Sequence, residues 1–245
     1  MNSIFFTISG KRALISYADP LAAVIPIETF PALTALPFLR HGFVGRIAGL
    51  DMSLERAPAL DRLGQFHAEA RRMLALDRMP FVTAGQVHGA GVAVVNENAR
   101  TPEPGADALI TDRPGVCLGI YVADCAAVHL VDPERRCIGL AHSGKKGTEL
   151  AVVPAMIKKM RDEFGAEPSR MIAQIAPCIR PPDYEIDFAA EIVRQCRAAG
   201  VAHIHDCGTS TADLRRYYSY RMELGRTGRM LALLAMGTGT QASSL

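Results

Sequence analysis

Apolar side chains recur at helical spacing in three stretches of the chain, with short strand-like runs between them. Leu63, Phe66, Ala70, Met73 and Leu74 fall on one face of an amphipathic helix within about residues 60–76, and Pro80 ends it. Val153, Ile157, Met160 and Phe164 share a face of a second helix that Gly165 stops, with Pro154 marking its start or a kink. Phe188, Ile192 and Cys196 mark a third, opened by Asp187 and closed by Gly200. The strand-like runs are Phe81 to Ala84, Gly91 to Val95, Ala126 to Val131, Arg136 to Ala141 and Met230 to Met236. The pattern is an alternation of helices and strands, without internal repeats.

Composition narrows the class. A chain of 245 residues, 49% of them hydrophobic, can bury a sizeable core, and one domain is expected. No run of about 18 uncharged apolar residues exists, so no membrane span is expected. Met1 to Gly10 lacks the basic start and long apolar region of a secretory signal, which predicts a cytoplasmic protein. The six scattered cysteines then read as reduced thiols, with Cys117, Cys137, Cys178 and Cys196 in the core. A net charge of +2 and 6% aromatic residues without Trp argue against a nucleic-acid partner. Arg71-Arg72 and Lys158-Lys159-Met160-Arg161 read as solvated helix faces.

The runs Ala126 to Val131 and Arg136 to Ala141 form a hairpin if the chain turns at Asp132-Pro133-Glu134-Arg135. Pairing Val131 with Arg136 then pairs Cys125 with His142, and directly opposed Cβ atoms lie about 4.5–5.5 Å apart. A thiolate and an imidazole could so share one ion. His88, in Gly85-Gln86-Val87-His88-Gly89, falls on a tight loop between two strands where a side chain is presented to a cleft. Three such ligands leave the fourth tetrahedral position of a zinc ion open, as in catalytic sites. Spacing alone leaves a plainer reading equally open, with Cys125 a small core residue and His142 a satisfied core histidine, because no CxxC or HExxH pattern ties the residues together.

Other groups invite weaker readings. His129 shares a strand face with Cys125 and reads first as a packed histidine, otherwise as support for the ligands or as an extra ligand. His203 and His205 alternate on a short strand before Asp206, a metal-like pair without a supporting motif. Ser143 to Thr148, with Gly144 and Gly147, reads as a turn or as an anion cradle at a helix start.

Gln86-Val87-His88-Gly89, Ala123-Asp124-Cys125 and Ala141-His142-Ser143-Gly144 with Gly147-Thr148, in that order, resemble the YfiH-type laccase-domain family, also described as purine nucleoside phosphorylases and polyphenol oxidases. The similarity continues through His41-Gly42-Phe43 with Arg46, Asp107-Ala108-Leu109-Ile110-Thr111, Ala176-Pro177-Cys178-Ile179 with Tyr184-Glu185, Tyr218-Ser219-Tyr220-Arg221 and Thr227-Gly228-Arg229. It implies an α+β fold of mixed β-sheets packed with helices, in a single catalytic domain over residues 1–245 whose residues 1–40 form a divergent amino-terminal segment. It also implies His88, Cys125 and His142 as metal ligands, with zinc expected and copper possible. Two departures stand out. Lys145-Lys146 replaces the family's usual Trp-Arg, which removes a flat platform and a bidentate fork, and the segment after Tyr184-Glu185 is shortened.

The implied substrates are a purine nucleoside and phosphate, with phosphorolysis and adenosine deamination as the reactions. Cys125, His142 and Asp124 are the expected catalytic residues, and Arg46, Lys145, Arg221 and Arg229 the expected substrate-binding ones. Asp124 orients a ligand, shuttles a proton or caps a strand end. Three alternatives stay open: a Cys125 nucleophile activated by His142 in an amidase that edits cell-wall peptide precursors, a binding module with a structural metal, and a copper polyphenol oxidase. The last fits least, because one His2Cys site does not supply the several coppers of a laccase.

Overall fold

The computed structural model describes residues 24–96 and 99–238, together with the backbone of a short strand pair near the amino terminus. That pair is β1 (Phe6–Ile8) and β2 (Lys11–Ala13). There follow β3 (Ile27–Glu28), α1 (Pro31–Thr34), β4 (Leu39–Val44), α2 (Arg56–Met73), β5 (Phe81–Thr83), β6 (Val92–Val94), β7 (Ala108–Thr111) and β8 (Cys117–Val122). The second half contains β9 (Ala126–Asp132), β10 (Cys137–Ser143), α3 (Lys145–Glu149), α4 (Val152–Phe164), β11 (Ile172–Ile175), α5 (Phe188–Ala198), β12 (His203–Asp206) and β13 (Met230–Met236). The reading of Met1 to Gly10, and of the segment 1–40 as far as residue 23, lies outside the described residues apart from the backbone of that strand pair.

Two mixed sheets build the α+β fold. One has six strands in the order β12-β11-β9-β10-β7-β6, the other five in the order β3-β4-β13-β8-β5. They share one core: Ala127, Val131, Ile138 and Leu140 of the first sheet cluster with Leu118, Ile120, Leu231 and Leu233 of the second. Helices α4 and α5 cover the other face of the six-stranded sheet, where Val128, Leu130, Met156, Met160 and Ile192 form a second cluster. Both faces of β9 and β10 are therefore covered, which explains why their sequences are continuously apolar instead of alternating. Among the described residues no helix is long and apolar enough to cross a membrane.

Local chemistry sets the boundaries. Asp187 accepts the Ala190 amide at 2.9 Å and caps α5, while Gly165 ends α4 with φ +65°. Pro154 sits in the first turn of α4, where no intrahelical donor is lost, so the helix begins just ahead of it. Helix α2 starts at Arg56, four residues before the sequence pattern suggests, and Met73 at its end is exposed rather than on the buried face.

The hairpin register differs from the expectation. Val131 pairs with Ile138, not Arg136, and His142 pairs with Ala127. The turn keeps four residues but moves one residue along the chain, to 133–136, because Asp132 stays in its strand and its Oδ1 accepts the amides of Glu134 and Arg135, each at 3.0 Å, while Arg136 adopts φ +51°. A shift of two residues leaves every side chain on its face, so Cys125 and His142 still point the same way, but Cys125 lies beside Gly144.

His129 is a core residue. It is fully buried between the sheets, edge-on to Phe30 at 5.5 Å, and neither ring nitrogen makes a well-formed hydrogen bond, with only weak contacts to the backbone of Gln174 and Leu233. Burial, and then the neighbouring His41, depress its pKa to about 3; burial depresses His41 and His67 to about 4. Below about pH 6.5 the unfolded chain binds protons that these folded imidazoles refuse, so stability is full above that pH and falls as the medium is acidified toward pH 4. His129→Leu removes one of the three groups and two buried nitrogens without a well-formed hydrogen bond. It is expected to gain about 1 kcal/mol at pH 7 and to flatten the acid limb, as urea unfolding at pH 4.5 and pH 7 would show. A variant as acid-labile as the parent would refute this account.

Candidate functional site

Three loops and strand ends converge at one edge of the inter-sheet core. His88 sits between β5 and β6, Cys125 in the short link from β8 to β9, and His142 one residue from the end of β10. Their donor atoms all lie within 4.8 Å of one another, and the two imidazole rings meet edge to face with centroids 4.8 Å apart. No other group of three such donors occurs among the described residues; His203 and His205 lie on β12, at the far edge of the six-stranded sheet.

The backbone at this point is unusual. Gln86, His88 and Asp124 all hold positive φ (55°, 58° and 80°), a conformation that side-chain-bearing residues resist and that the surroundings must enforce. Asp107 does much of the enforcing. It is completely buried just before β7, and its carboxylate accepts the amides of Val87 (3.1 Å), His88 (3.0 Å) and Gly89 (2.7 Å). The same carboxylate accepts His142 Nδ1 at 2.9 Å, which turns the Nε2 lone pair of His142 toward the other two donors. Gly144 supplies the room: a Cβ there would stand 2.3 Å from Cys125 Sγ. This is why the Gly144 position beside the thiol has no side chain.

The charges respond to this packing. Burial acts against the Cys125 thiolate, but bonds to His142 and His88 outweigh it and bring the thiol down to about pKa 6. Burial likewise opposes a charged His142, yet Asp107 and Cys125 raise it to about 9. Two imidazoles and a thiolate, with a carboxylate behind one imidazole, are a donor set suited to zinc. Among the described residues, His88, Cys125 and His142 are the three that would hold it. The set comprises one such site, not the several that multi-copper oxidase chemistry uses.

The donors form the floor of a cavity of about 570 Å³. Lys145, Arg221 and Arg229 line it, and Tyr184, Phe188 and Tyr220 give it aromatic walls. Arg46 is placed elsewhere: it is not on the cavity wall, and its guanidinium bonds Tyr217 O at 2.9 Å and Glu223 at 2.6 Å while stacking over Tyr218. Asp124 lines the cavity with both oxygens engaged, Oδ1 by Thr211 Oγ1 and Oδ2 by the Arg221 amide, each at 2.7 Å, so it ties the strand end to the 211–221 segment. Ser143 to Thr148 is not a loop; α3 starts at Lys145, and Ser143 Oγ bonds Thr148 Oγ1 at 2.8 Å.

Sequence reasoning missed two residues. Asp107 carried a visible signal, a carboxylate opening the apolar run Ala108 to Thr111. Arg56, which also lines the cavity, carried none, because it lies far from every motif in the chain.

The chain matches the family model described as multi-copper polyphenol oxidoreductase laccase over residues 37–191 and 184–237. It is 32% identical over 222 residues to a protein of Deinococcus radiodurans named purine nucleoside phosphorylase, covering 78% of this chain and 84% of that one. A Geobacillus stearothermophilus protein named purine nucleoside phosphorylase YlmD is 28% identical over 231 residues, with 78% and 84% covered. Among solved structures, YlmD from Geobacillus stearothermophilus superposes with a TM-score of 0.76 at 22% identity over 88% of this chain and 100% of that one. The Bacillus licheniformis hypothetical protein YfiH gives 0.72 at 21% over 81% and 92%. These structural likenesses concern the fold.

Proposed function

Because this chain belongs to the laccase-domain family described as multi-copper polyphenol oxidoreductase laccase, we propose that it is a zinc-dependent purine nucleoside phosphorylase with adenosine deaminase-type activity. The observation that carries the reading is an open set of three metal donors on the floor of a cavity whose wall combines cations with aromatic faces. When bound there, zinc lowers the pKa of a coordinated water toward about 7 and makes hydroxide available at neutral pH.

The chain's own groups do the rest. Asp107 keeps the proton on His142 Nδ1 and so presents Nε2. Tyr184, Phe188 and Tyr220 offer faces on which a purine stacks and from which water is excluded. Lys145, Arg221 and Arg229 supply positive charge for phosphate. In phosphorolysis a phosphate oxygen bonds to the anomeric carbon as the bond to purine N9 breaks; the electron pair leaves with the purine, which takes up the proton of hydrogen phosphate. In deamination a water oxygen adds at C6 of adenosine and ammonia departs, giving inosine.

Incubation of the metal-loaded chain with adenosine, with and without phosphate, tests this. Adenine is expected in phosphate and a slower release of inosine without it. Absence of nucleoside turnover in both would overturn the reading. One observation favours a second: without an ion, Cys125 and His142 are tuned as a thiolate–imidazolium pair, which suits a thiol amidase acting on peptide precursors. Such an enzyme would cleave an amide under chelation and die on alkylation of Cys125.

A further inference from the structure

Two guanidinium groups on the cavity wall make no salt bridge among the described residues. The wall carries Arg56, Lys145, Arg221 and Arg229 against a single acid, Asp124, whose oxygens are already occupied. Arg221 is exposed and pairs with the exposed Glu185 at 3.2 Å, and Lys145 is exposed at the first position of α3. Arg56 and Arg229 are different: both are half-buried, and neither has an acidic partner among the described residues.

Each is nevertheless held in place. Arg229 Nη1 donates to the carbonyls of Thr227 and Gly228, both at 2.8 Å, which leaves Nε and Nη2 for another acceptor. Arg56 Nη2 donates to Gln86 Oε1 at 3.2 Å. Gln86 is itself locked to the Tyr121 backbone, accepting its amide at 3.2 Å and donating to its carbonyl at 2.5 Å. Burial, and then the positive charge of Arg56, lower the proton affinity of Arg229, and Tyr220, Cys125 and Asp124, which act in the opposite sense, do not offset them. Two like charges fixed on one partly desolvated wall repel, and an anion seated between them converts the repulsion into two charge-assisted contacts.

We propose that Arg56 and Arg229 form a phosphate-binding subsite of this cavity, with Arg229 as the fixed fork and Arg56 as the second cation. The phosphate is either free inorganic phosphate or a group carried on the nucleoside. Where it is the attacking co-substrate, the assignment rests on the phosphorylase reading.

Calorimetric titration of the metal-loaded chain with inorganic phosphate, and separately with adenosine 5′-monophosphate, reads the subsite without relying on turnover. Arg56 opens α2 outside the core, so Arg56→Gln should fold. It is expected to weaken binding of the phosphate ligand about tenfold or more, Arg56→Lys less so. Lys158→Gln, which removes the same charge from an exposed face of α4, should change it less than about twofold. Arg229→Gln should match Arg56→Gln; its unfolding midpoint is measured alongside, and if it fails to fold, the two Arg56 variants decide.

Arg56-dependent binding of inorganic phosphate identifies the free anion, and such binding of the monophosphate alone places the phosphate on the nucleoside. Unchanged affinity in Arg56→Gln, or no binding of either probe to the parent chain up to about 10 mM, overturns the subsite. Arg56-dependent phosphate binding without phosphate-driven adenine release would leave the subsite standing and remove the phosphorylase reading. Adenine release with an unaltered phosphate KM in Arg56→Gln would do the reverse.

Discussion

Alanine at His88, Cys125 or His142 is expected to leave a folded protein that carries no metal and turns over adenosine at least about a thousandfold more slowly. The three donors come from separate segments and converge within 4.8 Å, so two of them cannot hold an ion as the three do. All three variants should therefore behave alike, which distinguishes a ligand set from a nucleophile and its base. His88 is exposed, and Cys125 shrinks toward Gly144, where space is tight; His142→Ala gives up the buried bond to Asp107, which keeps its three backbone amides, so this variant is expected to fold with the lowest stability of the three. Metal analysis after dialysis, with circular dichroism as the folding control, decides the matter. One ion per chain retained by Cys125→Ala would remove the zinc assignment and move the chemistry to the thiol.

Asp107→Ala is expected to be the most damaging change outside the ligands. Three amides and an imidazole N–H lose their common acceptor in a completely buried position. A buried donor left unsatisfied costs about 1–3 kcal/mol; the His142 ring is buried and the three loop amides are only partly so, and a loss of about 3 kcal/mol is expected in urea unfolding. Asp107→Asn separates positioning from bulk stability. Its amide keeps the volume and one acceptor, but it presents an NH₂ group either to the backbone amides or to His142. A chelator competition should show metal binding about 10- to 100-fold weaker in Asp107→Asn, a larger proportional effect than on its unfolding midpoint. Equal metal affinity in this variant and the parent would reduce Asp107 to a loop anchor.

The elements were legible wherever one local rule dominated. Met230–Met236 is apolar from end to end and forms β13 with those bounds, because a central strand covered on both faces needs nothing else. Asp187 and Gly165 mark the start of α5 and the end of α4 through their own side-chain and backbone chemistry. The hairpin register was not legible, because it depends on Asp132 staying in its strand to cap the turn and on Arg136 accepting a left-handed backbone. Parity protected the inference about Cys125 and His142 even so, since a slip of two residues changes neighbours and not faces.

The site divides in the same way. The sequence by itself determined which residues are chemically able to bind a metal and in which family pattern His88, Cys125 and His142 occur, because ligand type and motif order are properties of the string. It also assigned Lys145, Arg221 and Arg229 to a group that the tertiary structure does gather on one cavity wall. Arg46 fell in the same group, and only the fold shows its guanidinium spent on Glu223 and Tyr217. Only the fold, too, brings Asp107 under the His88 loop and sets Arg56 near Arg229 on one cavity wall, pairs separated by about 20 and about 170 residues. A carboxylate that positions a ligand, or a cation that faces another cation, is defined by distance in space and by the water that packing removes, and neither quantity is written in the spacing of the chain.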